Sequence, residues 1–481
     1  MGQGTGGQAA RGHCLPLIPP EPGDDCVSLM MGSRGLSVAV QDGTVTHQRD
    51  RTLATRALAR VEGEGAMHVR VRGSQVDEVR LEIYEPPRFF EAFLRGRAYT
   101  EPPDITARVC GICPVAYQTS ACQAIEDACG ARVDGQIAAL RRLLYCGEWI
   151  SSHALHIYML HAPDFLGYPG AVEMAADHRD LVERGLALRG AGTAIMELLG
   201  GRSIHPVNVR VGGFYRAPSA AELAPLARRL RDALPLALDT VGWVAGFGFP
   251  DFTCPHELLA LTEPGRYPIE RGTLVTGGGL AFPAAEFEQY IIEEQVPHST
   301  ALHARLAGPG QADHDRYLTG PLARYSLNSG SLPPQAARAA AEAGLGPSCR
   351  NPFRSIIVRA VEVVCAIEEA LRLIGEYQPP AAPSVAVTPR EGAGYGVSEA
   401  PRGVLYHRYE LDGDGIIRSA RIVPPTSQNQ RAIEDDLRRF VQARLDFDDA
   451  RLTSECEQAI RNYDPCISCS THFLDLRIDR R

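Results

Sequence analysis

Two cysteine pairs stand near opposite ends of the chain: Arg108-Val109-Cys110-Gly111-Ile112-Cys113 and Asp464-Pro465-Cys466-Ile467-Ser468-Cys469-Ser470-Thr471-His472. Each is a Cys-x-x-Cys, a spacing that lets two thiolates grip one metal ion. Together they supply four thiolates, a full shell for a soft transition metal. Paired cysteines of a zinc ribbon lie roughly 15–20 residues apart. Here most of the chain separates the pairs. Three readings stay open on spacing alone: a catalytic metal, a structural zinc or iron–sulfur site, or buried cysteines that never meet. Pro114 after the first pair and Asp464-Pro465 before the second place both at element boundaries, where amides at a helix start stabilise thiolates. His472 is open to three roles: metal ligand, hydrogen-bond donor, or packed side chain.

The elements that must position these residues belong to a chain of 481 residues, long enough for one to three domains. Its apolar share of 44% and charged share of 22% are those of a globular protein. A net charge of −9 argues against nucleic acid as a partner. All 49 basic residues are arginine, which a GC-rich genome explains. The 13 cysteines are odd in number and thinly spread, and the Gly-, Gln- and Pro-rich front has no leader pattern. Both point to a reducing cytoplasm. The strongest apolar stretch, Leu234 to Phe249, is interrupted by Asp239 and glycines, so no membrane span is expected. Gly6 breaks a myristoylation pattern after Met1-Gly2.

Residues 1–52 are poor in apolar periodicity and are expected to be a disordered extension, or an over-long start with the true one near Met30 or Met31. From His68 to Tyr84 apolar and polar residues alternate, which predicts a hairpin turning at Gly73 and Ser74-Gln75. Helical spacing predicts helices over Ala116–Ala128, Gln136–His161, Ala171–Leu199, Ala220–Val244 and Ser355–Leu373. Strands are expected within Ser203–Phe214 and Arg402–Ile422, and a turn at Gly277-Gly278-Gly279. Pro379 to Glu391 reads as a surface connection. The cysteine pairs flank nearly all of this, which favours one large, mostly helical domain over residues 53–472.

Five ordered motifs carry a resemblance. They are Arg60-Val61-Glu62-Gly63-Glu64-Gly65, the first cysteine pair, Gly200-Gly201-Arg202-Ser203-Ile204-His205-Pro206, Glu399-Ala400-Pro401-Arg402-Gly403, and Asp464 to His472. With these the chain resembles the large, catalytic subunit of nickel–iron hydrogenases from Arg60 to His472. The Glu-Gly-Glu-Gly segment and Cys113-Pro114-Val115-Ala116-Tyr117 are most similar to the cytoplasmic, NAD(P)-coupled or sulfhydrogenase branch. The resemblance implies a mainly α fold with α+β elements, a long-helix bundle flanked by small β-sheets.

It also implies roles. Cys110 and Cys466 would be terminal ligands of nickel. Cys113 and Cys469 would bridge nickel to an iron carrying carbon monoxide and cyanide. Glu91, 19 residues before Cys110, and His472 would hold magnesium, a hard ion suited to oxygen ligands. Arg402 would lie over the open side of the metals, with Asp464 holding it or the ligand shell by charge-assisted hydrogen bonds. Pro401 and Pro424 would line the cofactor beside Asp464. Heterolytic cleavage of dihydrogen needs a hydride acceptor and a base side by side. The metals would supply the first, the Cys466 thiolate the second, and Glu62 would carry the proton outward.

The membrane-bound relatives carry a histidine where this chain has Tyr117 and an aspartate where it has Ser152; such neighbouring positions tune a metal site without building it. No further cysteine cluster or nucleotide loop is apparent. The implied partners are therefore a small iron–sulfur subunit, flavin- and NAD(P)-reactive electron-transfer subunits, and a maturation endopeptidase trimming residues 473–481. Three other functions compete. A regulatory hydrogen sensor would share the site. A complex I-like subunit would have lost the thiols that are all present here. A zinc-stapled binding protein would hold zinc and no nickel.

Overall fold

Three antiparallel strands, β1 (Arg51–Thr55), β2 (Gly65–Arg72) and β3 (Gln75–Ile83), open the chain in the computed structural model, which describes residues 50–307 and 315–471. The expectations for His472, for the 473–481 tail and for nearly all of the N-terminal extension fall outside those residues. β1 begins inside the stretch expected to be extension. Arg51 anchors it by donating to the carbonyls of Leu445 and Phe447, each at 2.8 Å, and by pairing with Asp449. The alternation from His68 becomes the β2–β3 hairpin, turning at Gly73-Ser74.

Short helices α1 (Phe90–Leu94) and α2 (Pro102–Thr106) lead to the first cysteine pair, and α3 (Pro114–Cys129) starts directly behind it with Pro114 in its first turn. α4 (Gly135–Leu155) does not run on to His161 as its periodicity predicts. A π-helical turn, His156–His161, intervenes before α5 (Ala162–Leu166). Hydrogen bonding to i+5 lays residues five apart on one face; the rings of His156 and His161 are 5.0 Å apart. The helix expected over Ala171–Leu199 is two, α6 (Ala171–Asp177) and α7 (Arg179–Gly200), broken where His178 leaves helical geometry. Of the strands expected over Ser203–Phe214, only the two-residue arms β4 (Val209–Arg210) and β5 (Gly213–Phe214) form. α8 (Ala220–Ala245) opens on a capping box, Ser219 with Glu222, and tolerates Pro225 and Pro235 inside it.

A satellite of short elements follows: β6 (Glu257–Thr262), β7 (Thr273–Thr276), β8 (Ala281–Phe282), α9 (Phe287–Tyr290), β9 (Ile291–Glu294), β10 (His303–Leu306) and β11 (Tyr317–Leu318). The glycine run turns the chain between β7 and β8. Leu259, Leu261 and Phe287 lie in a core that this satellite shares with Tyr406 of a later strand. Then come α10 (Pro321–Asn328), α11 (Pro334–Glu342) and α12 (Ser355–Gly375), the antiparallel meander β12 (Gly392–Ala400), β13 (Gly403–Leu411) and β14 (Ile417–Val423), and finally α13 (Pro425–Gln442), α14 (Asp449–Arg461) and α15 (Ile467–Ser470).

α4 packs on α7 and α12, and α12 on α8; this is the central bundle. α3 lies flat on β12, where only glycine fits: a Cβ at Gly396 would fall 2.1 Å from the Ser120 carbonyl. Arg324 of α10 locks bundle to sheet. It donates to Glu362 of α12 and Glu399 of β12, each at 2.8 Å, and lies 4.4 Å over the Trp149 ring of α4. The described residues thus form a mainly α molecule with small sheets, as expected, and contain no helix long and apolar enough to cross a membrane.

Candidate metal centre

Cys110 and Cys113 come from the turn that ends just before α3, and Cys466 and Cys469 from the start of α15. Their sulfurs lie within 4.8 Å of one another. Cys110 is 3.4 Å from Cys466, Cys113 is 3.6 Å from Cys469, and Cys466 is 2.7 Å from Cys469. None is a disulfide, whose S–S length would be about 2.05 Å. All four are at most 3% exposed. Burial holds the Cys466 and Cys469 thiols above their usual range. A cation placed among the sulfurs reverses that balance and favours the thiolates. Four crowded soft donors in a dry pocket fit a transition-metal centre, nickel and iron included. The reading in which the pairs never meet is thereby excluded.

The two ends of the chain are stitched together beside the sulfurs. Glu62 forms a parallel bridge with Cys466, and its carbonyl accepts from Ile467 N at 2.9 Å. Gly63 makes the approach possible: its φ is +88°, and a Cβ there would fall 2.7 Å from Ile467. The Glu62 carboxylate accepts from Cys466 Sγ and from Ser468 N, each at 3.1 Å. The residue is half-buried, with one flank on the sulfur and one toward solvent.

Arg402 follows Pro401 at the β12–β13 turn and is fully buried. It donates through Nε to the Asp464 carbonyl at 2.7 Å and through Nη2 to Asp464 Oδ1 at 3.0 Å. Asp464 adopts φ 50°, rare for a residue that is not glycine, and this fork holds it there. Arg402 Nη1, Asp464 Oδ2 and the Tyr117 hydroxyl are buried and hydrogen-bond to no described residue. The guanidinium charge acts on Cys466, Cys113 and Cys110. Pro424 is buried at the start of α13 and its carbonyl accepts from Ser427. Of the two departures, Tyr117 packs edge-on against His407 at 5.6 Å, and the Ser152 hydroxyl is buried without a described partner.

Glu91 lies in α1, apart from the sulfurs. Its Oε1 accepts from Ile422 N at 2.7 Å, and burial pushes its pKa up to about 7. Glu293, which the sequence reading passed over, is raised to about 7 by burial too and accepts from Arg421 at 2.6 Å. Three more residues escaped notice. Thr426 Oγ1 accepts from Cys466 N at 3.0 Å. Glu85 accepts from Ser468 Oγ at 3.0 Å. Glu148 of α4 accepts from Val115 N at 2.6 Å and Ala116 N at 3.1 Å. That last pair corrects an expectation: these amides of the α3 start serve a carboxylate, and the amide that reaches a sulfur is Ile112 N, 3.2 Å from Cys110. Only the Pro424-Pro425 doublet before Thr426 was a local signal.

Residues 88–184 and 363–472 match the nickel-dependent hydrogenase family. The chain is 34% identical to sulfhydrogenase 1 subunit alpha of Pyrococcus furiosus, over 87% of this chain and 97% of that one. It is 33% identical to sulfhydrogenase 2 subunit alpha of the same organism, over 87% and 98%. A solved NAD+-reducing nickel–iron hydrogenase in its hydrogen-reduced state superposes with a TM-score of 0.79 at 28% identity, covering 88% of this chain and 99% of that one. The family's description, these relatives and the four-sulfur pocket agree: the chain belongs to the nickel-dependent hydrogenases, as the catalytic large subunit of a heteromeric enzyme.

Proposed function

We propose that this subunit oxidises dihydrogen reversibly and hands the electrons through a small iron–sulfur subunit toward NAD(P). The observation that carries the reading is the meeting of four buried sulfurs with Glu62 at Cys466. Cys110, Cys113, Cys466 and Cys469 would together hold nickel and an iron bearing carbon monoxide and cyanide. When bound, that pair supplies the electrophilic centre at which dihydrogen is split. The Cys466 sulfur then takes the proton, and Glu62 Oε2, 3.1 Å away, receives it. The exposed flank of Glu62 passes it to solvent. Arg402 stays charged at every working pH, and the Asp464 fork keeps it from swinging away. Pro401 and Pro424, both buried, are the proposed lining that would keep water from the sulfurs.

Glu91, with Glu293 nearby in charge and His472 beyond the described residues, is the proposed holder of magnesium. Two buried carboxyl groups with raised pKa values are a hard-oxygen set that a divalent ion would ionise. The docking face of the small subunit is placed beside Gly111-Ile112, where a cleft of about 350 Å³ is bordered by exposed Ile204. Gly111 and Ile112 are the two residues between Cys110 and Cys113 in the chain, so an electron acceptor docked there would sit beside the first pair. The NAD(P) coupling rests on the NAD+-reducing neighbour, the cytoplasmic setting on the sulfhydrogenase likeness, and a flavin would sit on a partner. The residues before β1 remain the proposed extension, and 473–481 a tail removed by an endopeptidase. Intact mass of the nickel-loaded protein tests the tail: full length with full activity rejects cleavage. Infrared spectroscopy of the purified complex tests the function. Carbonyl and cyanide stretches with stoichiometric nickel are expected; their joint absence removes the assignment.

A further inference from the structure

Two histidines of one loop and strand start meet a remote glutamate behind the second cysteine pair. His298 lies in the loop after β9, His303 opens β10, and Glu434 sits on α13; one ligating atom from each falls within 4.8 Å of the others. We propose that this trio binds one divalent transition-metal cation of the zinc class, at a site separate from the four sulfurs.

The carboxylate is held in place from one side. Glu434 Oε1 accepts from Leu81 N at 2.8 Å and meets His298 Nε2 at 2.8 Å. Oε2 is left facing His303 Nδ1 at 4.0 Å. That gap is too long for a hydrogen bond. It suits two ligands of one ion, each of which would sit about 2.0–2.1 Å from the metal after a small side-chain adjustment. His303 is the independent observation. It is 2% exposed; Nε2 is buried with no hydrogen-bond partner among the described residues, and Nδ1 is the nitrogen that faces Glu434. A buried imidazole in that condition is unfavourable unless something takes up a nitrogen. Burial pushes its pKa down to about 4, which keeps it neutral, the form that ligates. The rings of His298 and His303 stand 5.3 Å apart at 86°, edge to face around the same point.

The donor set selects the ion. Two imidazoles and one carboxylate suit zinc, nickel or cobalt, whereas magnesium and calcium prefer all-oxygen shells. Three protein ligands leave a position for water, and His298, with its side chain 18% exposed, gives a way in. The neighbouring cation, Arg431, is already paired with Glu294 and Asp315. The ion would pin the loop that leads into β10 onto α13. In that loop Thr300 N donates to the Ile83 carbonyl at 2.7 Å, and Ala301 packs with Ile83 and Ile467. Ile467 stands between Cys466 and Cys469, so the ion would brace the backing of the thiolate turn.

The test uses the purified heteromeric complex, treated with a chelator and titrated with Co2+ alone, reading the visible d–d bands of tetrahedral cobalt. One equivalent per large subunit is expected. His298→Ala and Glu434→Gln should each weaken uptake about 10–100-fold or more, with nickel content and the infrared bands of the four-sulfur centre unchanged. Glu434→Gln retains an acceptor for Leu81 N, which guards against simple misfolding. No stoichiometric cobalt in the parent complex, or equal uptake by both variants, overturns the proposal and leaves a hydrogen-bonded His–Glu pair. Neither result bears on hydrogen turnover, so this site and the hydrogenase reading fail separately.

Discussion

The roles proposed for Glu62 and Arg402 rest on two hydrogen bonds each. Glu62 is the one carboxylate with an oxygen 3.1 Å from Cys466 Sγ among the described hydrogen bonds. Glu62→Gln keeps the Ser468 N–H acceptor but cannot take a proton. Hydrogen oxidation and H/D exchange should fall about 10²–10⁴-fold, the usual worth of an acid–base group, while the infrared bands stay in place. Unchanged exchange would reassign the proton route. Arg402→Lys retains the charge but loses the fork to the Asp464 carbonyl and Oδ1. Turnover should drop about 10²-fold with nickel content intact; a drop in nickel instead would make Arg402 an assembly residue. Cysteine spacing made the four ligands legible in the sequence. Thr426, Glu148 and Glu293 carried no such mark, because a threonine or glutamate earns a role only from the chain-remote amide or charge it meets.

At the scale of elements, the first cysteine pair is held by the start of α3, and that start is held by α4. Glu148 is fully buried and accepts both Val115 N and Ala116 N. Glu148→Ala strips these amides of their acceptor. It should cost about 1–3 kcal/mol per group left unsatisfied, seen as a lower unfolding midpoint of the complex. Glu148→Gln, which still offers one oxygen, should fall between. Equal midpoints for both variants would mean water replaces the carboxylate. Apolar periodicity made the long helices α3, α8 and α12 readable to within a few residues. It missed the break at His178 and the π-helical turn, since one-residue changes in helical pitch leave the apolar stripe almost unmoved. Strands β6 to β11 run to six residues or fewer, too short for alternation to declare itself.

For the molecule as a whole, the Arg324 junction ties bundle, sheet and site together. Arg324→Met leaves Glu362 and Glu399 buried without their cation, and a loss of about 3–5 kcal/mol is expected. Adding Glu362→Gln should recover part of it; full tolerance of the single change would show that the pair contributes nothing. The same junction sets an acid limit. Burial alone would raise Glu362, but Arg324 outweighs it and holds the folded pKa at about 2, below the ordinary 4.5. A lowered carboxyl pKa gives stability that is present above about pH 4.5 and lost as pH falls toward 2. His153, 2.9 Å from Glu362, is held below 6.5 by burial and must gain a proton on unfolding, which pulls the same way. The His153 contribution should fall below about pH 6.5 and the Glu362 contribution below 4.5, while Glu399, raised to about 6 by burial, pulls the other way between those limits. In Glu362→Gln the steep lower limb should flatten; an unaltered profile would place the acid sensitivity elsewhere.

Motif order and short spacing alone carried the reading of the chemistry: four sulfurs in two pairs, an arginine after a proline, an acid in a glycine-flanked turn. Those are local patterns, written in residue types and short spacings. Only the tertiary structure decided that sulfurs 356 positions apart meet at 3.4 Å, that Glu148 takes the amides once assigned to thiolates, and that His298, His303 and Glu434 share one corner. Such meetings depend on how helices cross and where strands pair, and no window of sequence contains the partners that set them.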